Sequence, residues 1–220
     1  MKSKADPPNF DRLAGVYRWM ELFSFGPWLW GCRTAFLGEL ANCRRALILG
    51  DGDGRFTARL LESNPAIFID TIDASPAMLQ ALRRRAGINS ARVQTHLADA
   101  RHWQPETSAS APYDLAVTHF FLDCLTTEEV HALAAKLTGA LSPGALWVVS
   151  EFAVPQGIFG RLIAGPVVAA LYWAFGWLTG LQIRSLPDHR AALSSSGFSL
   201  RRSREFLGGL LVSEFWVKQP

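Results

Sequence analysis

The sequence predicts an α/β fold, a doubly wound, mostly parallel seven-stranded sheet with an antiparallel C-terminal strand, N-terminal helices and a helical insert after strand five. Three observations predict it. Short apolar runs alternate with helical periodicity between about residues 45 and 151. The first such run, Ala46–Leu49, is apolar at every position, which suits a parallel strand covered on both faces. Near the end, Phe198–Phe206 and Leu210–Lys218 are separated only by Leu207-Gly208-Gly209, too short for a parallel crossover, so these strands are antiparallel neighbours.

The elements follow in order. Phe10, Leu13, Ala14, Tyr17 and Met20 recur at helical spacing and predict an amphipathic helix over roughly 9–23. Ser24–Pro27 ends it, because proline cannot continue a helix interior and glycine frees the backbone. Leu29, Cys32, Phe36, Leu37 and Leu40 outline a second helix. After the first strand come a helix through Thr57–Leu61 and a second strand, Ala66–Asp73. Ser75-Pro76 then supplies an N-cap serine and a proline at the first helical position. Arg92–Leu97 and Tyr113–Thr118 are the third and fourth strands. Thr126 and Glu129 have capping-box spacing and open a helix that runs to Leu141. Pro143-Gly144 turns into strand five, Ala145–Glu151, and a helix over 187–196 precedes the terminal pair. The chain thus divides, within a single domain spanning 1–220, into an N-terminal helical cap (9–42), a core (45–151), an apolar helical insert (152–186) and a final helix and hairpin (187–220).

With 49% hydrophobic and 19% charged residues in 220, the composition is globular and excludes a disordered chain. The net charge is +3, and Lys and Arg are scattered apart from Arg83–Arg85 and Arg201–Arg204, so no nucleic-acid partner is expected. Three cysteines and five histidines lack disulfide or metal-ligand spacing, which predicts no metal site and a cytoplasmic setting. Met1 to Pro8 is polar, so no secretory signal is expected there. Leu162 to Ile183 carries no charge and is long enough to span a bilayer. Pro166, Gly165, Gly176 and Gly180 interrupt it, and it falls between strands of one sheet, so it reads as a buried or interfacial helical insert.

The strongest local signal is Ala46-Leu-Ile-Leu-Gly50-Asp51-Gly52-Asp53-Gly54-Arg55, a strand running into Gly-x-Gly-x-Gly at the mouth of a helix. Glycines there permit a sharp bend and close approach of a ligand, and helix-terminal amides favour polar or anionic groups. The dinucleotide pattern G-x-G-x-x-G fails in both registers, since Arg55 or Thr57 stands where its third glycine belongs. Asp73 ends the second strand, where a carboxylate can accept from both hydroxyls of a ribose. Asp99-Ala100 closes the third, where a carboxylate and an adjacent amide can read an adenine edge. Three such features at the carboxyl ends of consecutive strands lie where ligands bind in doubly wound folds.

These pieces, with Asp73-Ala-Ser-Pro-Ala-Met-Leu79, Tyr113-Asp-Leu-Ala-Val-Thr118 and Leu141-Ser-Pro-Gly-Ala-Leu-Trp-Val-Val149, resemble the class I S-adenosylmethionine-dependent methyltransferase superfamily, a Rossmann-like fold. Phe10-Asp-Arg-Leu-Ala14-x-x-Tyr17 is loosely similar to the opening helix of small-molecule methyltransferases of the ubiquinone/menaquinone C-methyltransferase group. The resemblance implies S-adenosyl-L-methionine as cofactor and S-adenosyl-L-homocysteine as its product. It implies that Gly50, Gly52 and Gly54 pass beneath the methionine and ribose, and that Asp73 and Ala74 hold the ribose. Ser75 and Met78 would flank the adenine, and Asp99 and Ala100 would read its edge. Thr118 and His119 would end beside the sulfonium, and Tyr17 would close over it. Ile48 stands where family members usually carry the carboxylate for the cofactor's amino group, and Asp51 and Asp53 are the candidate substitutes. That departure leaves a non-catalytic S-adenosylmethionine-binding scaffold as the alternative to an enzyme.

Methyl transfer from a sulfonium is an in-line displacement that positioning can accelerate, with a base needed for a hydroxyl or carbon acid. His119 is the first candidate base, because imidazole titrates near neutrality, and Asp123 the second, as base or orienter. Trp19, Phe23, Phe25, Trp28 and Trp30 in the cap, and Phe159, Tyr172, Trp173, Phe175 and Trp177 in the insert, predict an apolar small-molecule or lipid-like acceptor. The segment 158–184 is also suited to peripheral contact with the inner face of a membrane, so lid, core and membrane element all stay open.

Overall fold

The structure, a computed structural model, describes residues 26–105, 112–158, 160–168 and 186–220. The predicted first helix and most of the apolar insert lie outside the described residues.

Seven strands form one sheet: β1 (Arg45–Leu49), β2 (Phe68–Asp73), β3 (Val93–Leu97), β4 (Tyr113–His119), β5 (Leu141–Phe152), β6 (Phe198–Phe206) and β7 (Leu211–Lys218). Their order is β3-β2-β1-β4-β5-β7-β6. The β1–β2, β1–β4, β2–β3 and β4–β5 pairs are parallel, while β7 runs antiparallel to both β5 and β6. The chain order reverses at β1, so β1 and β4 part company with their following connections on opposite faces, opening a crevice at their carboxyl ends.

The described α-helices are α1 (Gly26–Arg33), α2 (Arg55–Ser63), α3 (Pro76–Ala86), α4 (Thr127–Ala140) and α5 (His189–Ser195). On one face Ile48, Leu115 and Val117 pack with Phe56, Leu60 and Leu61 of α2 and with Phe36 and Leu40. On the other, Leu47, Leu49 and Trp147 pack with Leu133, Ala134 and Leu137 of α4 and Leu193 of α5. Ala46 and Ile48 enter one core and Leu47 and Leu49 the other, which is why β1 is apolar at every position after Arg45.

The predicted caps form. The Ser75 hydroxyl accepts from the Met78 amide at 3.3 Å with Pro76 at the start of α3. Thr126 and Glu129 make both halves of a capping box on α4. Two boundaries differ from expectation. The second predicted helix stops at Arg33 and continues as turns and a short 3-10 segment, Leu37–Leu40. The Pro143-Gly144 turn is absorbed into β5, with Gly144 at φ +74° and a register shift against β4 beside it. Between the Tyr113–Leu141 and Leu115–Leu146 pairs β5 carries three more residues than β4, a bulge that turns the local chain without ending the pairing.

Candidate active site at the carboxyl rim of the sheet

Between β1 and α2, Gly50, Gly52 and Gly54 all have positive φ, at 66°, 59° and 80°. Their surroundings differ. A Cβ on Gly50 would stand 2.4 Å from the Phe121 ring, and one on Gly54 2.7 Å from the Leu82 backbone, whereas one on Gly52 would meet nothing within 4 Å. The outer glycines let two neighbours close in, and the middle one faces open space.

A row of carboxylates lines the same rim. Asp51 is buried and its Oδ2 accepts from the Thr57 amide at 2.8 Å, so it caps the first turn of α2 from below. Burial pushes its carboxyl up to about 6 against that hydrogen bond and the nearby Arg33 charge. Asp73, at the end of β2, accepts from the Ser75 amide at 2.8 Å. Burial also raises it to about 6, opposed by amides that include that of Gly52. Asp99 follows β3; desolvation draws its carboxyl up, but Arg101 outweighs this and holds it below the usual carboxylate value. Arg101 grips both oxygens, Nε at 3.0 and 2.9 Å. Lys136 of α4 donates to the carbonyls of Ala100, Arg101 and Trp103 at 3.2, 2.8 and 2.9 Å, which pins the loop carrying Asp99-Ala100 to the fold. Ala74 is exposed and Met78 half-buried, so both offer surface beside Asp73, while the buried Ser75 hydroxyl serves the α3 cap.

The carboxyl ends of β4 and β5 form the second half of the rim. Thr118 is buried and its hydroxyl accepts from Trp147 Nε1 at 3.0 Å. His119 is 4% exposed, with Nδ1 2.9 Å from Ser150 Oγ and its ring edge-on to Phe56 at 4.5 Å. Its Nε2 is buried without a hydrogen-bond partner among the described residues. Burial, with help from Arg33, depresses its pKa well below 6.5, so the imidazole is neutral at physiological pH. Phe120 then takes φ +53°, a left-handed conformation costly for a bulky residue, which turns the chain away from the strand. The Arg33 guanidinium lies 5.5 Å from the Phe120 ring centroid.

Beyond this bend, Asp123 is half-buried and accepts from the Cys124 thiol at 3.4 Å. Sequence reasoning assigned no role to Glu151, at the end of β5. It is 1% exposed; its Oε1 accepts from the amides of Phe121 and Leu122 at 3.2 and 2.8 Å, and its Oε2 is buried without a hydrogen-bond partner. The signal was a lone carboxylate ending the run Leu146-Trp-Val-Val-Ser-Glu151. Arg33 was missed for another reason: nothing in the pattern of a first helix tells which rim it reaches. Tyr17 lies outside the described residues. Among the described residues no group of three or more His, Cys, Asp or Glu could hold a metal ion.

A reversed seventh strand on a parallel sheet, a glycine bend after β1 and carboxylates after β2 and β3 together define the class I S-adenosylmethionine-dependent methyltransferase fold. The residues fit the methyl donor: Gly52 leaves room above the bend, and Asp73 and Asp99 stand in line along the rim. Residues 46–144 match the family described as "Methyltransferase domain". It is 34% identical over 133 residues to a trans-aconitate 2-methyltransferase of Methylobacterium radiotolerans, an alignment covering 58% of this chain and 47% of that protein. A trans-aconitate 2-methyltransferase of Mycobacterium sp. (strain KMS) is 28% identical over 161 residues, 71% of this chain and 59% of its own length. The chain therefore spans about half the length of the curated relatives it matches, 47% and 59%. Solved structures share the fold: the S-adenosylmethionine-dependent methyltransferase SibL has a TM-score of 0.66 at 22% identity, over 99% of this chain and 64% of that one. Human N-acetylserotonin methyltransferase in complex with SAM has a TM-score of 0.65 at 18% identity, over 96% and 56%.

Proposed function

We propose that this chain transfers the methyl group of S-adenosylmethionine to a small-molecule acceptor that is largely apolar. The observation that carries the reading is the unequal glycine bend, closed at Gly50 and Gly54 and open at Gly52. Positive φ favours glycine at all three positions, but only at Gly52 is the space beside the backbone open, so that a ligand can approach it closely.

In this reading Gly50, Gly52 and Gly54 lie under the methionine and ribose, and Asp73 accepts from the ribose hydroxyls beside Ala74. Met78 packs on the adenine, with Ser75 fixing the start of α3 beneath it, and Asp99 and Ala100 meet the adenine edge. The bound donor supplies an electrophilic methyl on a sulfonium. Thr118 and His119 hold the ends of β4 and β5 in register next to it. Arg33 is close enough to Asp51 to couple with it electrostatically, and in this reading the two serve the donor's carboxylate and amino groups. Asp123 is the proton acceptor favoured here over His119, which is buried and bound to Ser150.

The apolar acceptor is supported by the Phe120–Phe152 pair, with centroids 5.2 Å apart, and by Val154, Ile158 and Leu162, exposed after β5. The last two also support peripheral membrane contact through 158–184, to be tested by flotation with anionic liposomes. Among the described residues no helix is long and apolar enough to cross a membrane. A second reading, a carboxylate acceptor, is favoured by the trans-aconitate for which the relatives are named and by the Arg33 charge beside Phe120.

Calorimetric titration with S-adenosylhomocysteine and NAD, followed by methyl transfer to a panel of phenols, amines, lipids and carboxylates, tests the reading. Selective binding of the nucleoside and turnover of an apolar panel member are expected. No binding would sink the proposal, and binding with no turnover across the panel would favour a scaffold.

A further inference from the structure

Two glutamates are fully buried in this sheet, and they are treated differently. Glu214 accepts from His189 Nε2 at 3.0 Å, Arg190 Nε at 2.5 Å and Trp216 Nε1 at 2.9 Å. Desolvation of its carboxyl is more than offset by those partners, so its pKa falls and it is an ordinary structural carboxylate. Among the described residues Glu151 has no cation of that kind. The Phe121 and Leu122 amides meet Oε1 and no described group meets Oε2, although a buried carboxylate oxygen without a partner forfeits the whole of its hydration. A glutamine would accept the same two amides without burying an acid. The neighbouring ionisable groups are Asp123 and Cys124 on the turn after β4, Cys32 on α1 and His189 at the start of α5. Burial and then repulsion from Asp123 hold the Glu151 carboxyl well above its ordinary value. Desolvation raises Asp123 as well. Because Glu151 Oε1 sits on the Phe121 and Leu122 amides, its carboxyl lies against the turn that carries Asp123, and two desolvated carboxyls at one turn favour keeping a proton between them.

We propose that Asp123 and Glu151 form a carboxylate–carboxylic acid pair at the ends of β4 and β5 that receives the proton-bearing oxygen of the acceptor, so that the acceptor is a phenol or enol rather than a carboxylate. This rests on the methyltransferase reading above. Glu151 keeps its proton and acts as a positioning residue; Asp123 is the ionised member. In the reaction a bond forms between the acceptor oxygen and the methyl carbon while the carbon–sulfur bond breaks. The bonding pair stays on sulfur, which becomes a neutral thioether, and the acceptor's proton passes to Asp123. The positive charge of the sulfonium and the negative charge of Asp123 disappear together, and Asp123 returns its proton to water once the product leaves. A carboxylate acceptor has no proton to give at neutral pH, and it would be repelled by Asp123.

The test is a ¹³C-carboxyl NMR titration of the full chain labelled at Asp and Glu and saturated with S-adenosylhomocysteine, with signals assigned through Asp123→Asn and Glu151→Gln. At neutral pH one protonated and one ionised resonance are expected. 4-Methylphenol should perturb both and bind at least about tenfold more tightly than 4-methylbenzoate, a preference that one charge-assisted hydrogen bond can supply. Asp123→Asn should abolish that preference. Glu151→Gln, a neutral isostere of the acid, should keep it and Glu151→Ala should lose it. Two ionised resonances, no response to 4-methylphenol, or equal losses in Glu151→Gln and Glu151→Ala would each overturn the pair. Failure of S-adenosylhomocysteine to bind would instead overturn the methyltransferase reading beneath it.

Discussion

His119 on β4 and Ser150 on β5 are joined side chain to side chain, Nδ1 to Oγ, at 2.9 Å inside the rim of the sheet. The same serine oxygen reaches the Cys32 carbonyl at 3.3 Å and Ser213 Oγ at 3.2 Å. One hydroxyl thus ties α1, β4, β5 and β7 together beneath the proposed methyl-transfer point. A residue so fixed is suited to holding strand ends in place, and poorly suited to moving protons to and from solvent.

Ser150→Ala should therefore behave as a stability mutation. It strips the His119 imidazole of its partner in a buried site, a loss of about 1–3 kcal/mol. The melting temperature should fall while affinity for S-adenosylmethionine stays within about threefold, a change worth less than 1 kcal/mol. Loss of binding in a fully folded Ser150→Ala protein would show that His119 acts directly on the cofactor.

Gly52→Ala and Gly54→Ala should separate function from folding. Both residues have positive φ, a strain of about 1–2 kcal/mol for alanine. At Gly54 the new methyl also strikes Leu82, whose backbone lies 2.7 Å away, and α3 must shift. Gly54→Ala should unfold at markedly lower temperature. The Gly52 methyl meets no described protein atom within 4 Å and projects into the space proposed for the cofactor. That variant should melt only a few degrees below wild type, as the backbone strain alone predicts, and lose about tenfold or more in cofactor affinity. Equal effects of the two substitutions on binding and melting would contradict the assignment.

This contrast also shows what the sequence can and cannot reveal. The Gly-x-Gly-x-Gly spacing was legible, as were the Ser75 cap, the Thr126–Glu129 box and the antiparallel β6–β7 pair, because each depends on residues close in the chain. Which glycine stays open depends on Phe121 and Leu82, which come from different connections and carry no pattern that points at residues 50 and 54. Glu151 was invisible as a site residue for the same reason, since its partner amides lie about thirty residues earlier. Asp51 was legible as a rim carboxylate, but its hydrogen bond to the Thr57 amide could be found only once α2 was placed.

Cofactor affinity should depend on pH through Asp73. Its carboxyl must be ionised to accept from two ribose hydroxyls, and burial raises its pKa to about 6. Binding should be flat above neutrality and weaken as pH falls through 6, by about tenfold one unit below that value. Asp73→Asn should bind weakly at every pH. The stability effect has the opposite sign. The folded pKa lies above the unfolded value of 3.8, so the favourable contribution is full at lower pH and is lost as pH rises through about 6. At pH 7 ligand-free Asp73→Asn should melt at or above the wild-type temperature. A pH-independent wild-type affinity, measured by calorimetry between pH 5 and 8, would remove Asp73 from the site.

Lys136 should set the position of the adenine-reading loop without touching the cofactor. Its ammonium spends its three protons on the carbonyls of Ala100, Arg101 and Trp103, and desolvation there lowers its pKa, with the nearby Asp99 charge opposing. Lys136→Met keeps the stem that packs along α4 and removes the charge, leaving three carbonyls to find water. The loop should loosen, and affinity for S-adenosylmethionine should fall by about three- to tenfold, the equivalent of one net hydrogen bond. Because Lys136 lies away from β4 and β5, kcat at saturating cofactor should hold while KM for the cofactor rises. Lys136→Arg, which can still donate to two or more of the carbonyls, should recover most of the affinity. A fall in kcat with unchanged KM, or no rescue by arginine in a folded protein, would place the effect of Lys136 elsewhere than in the loop.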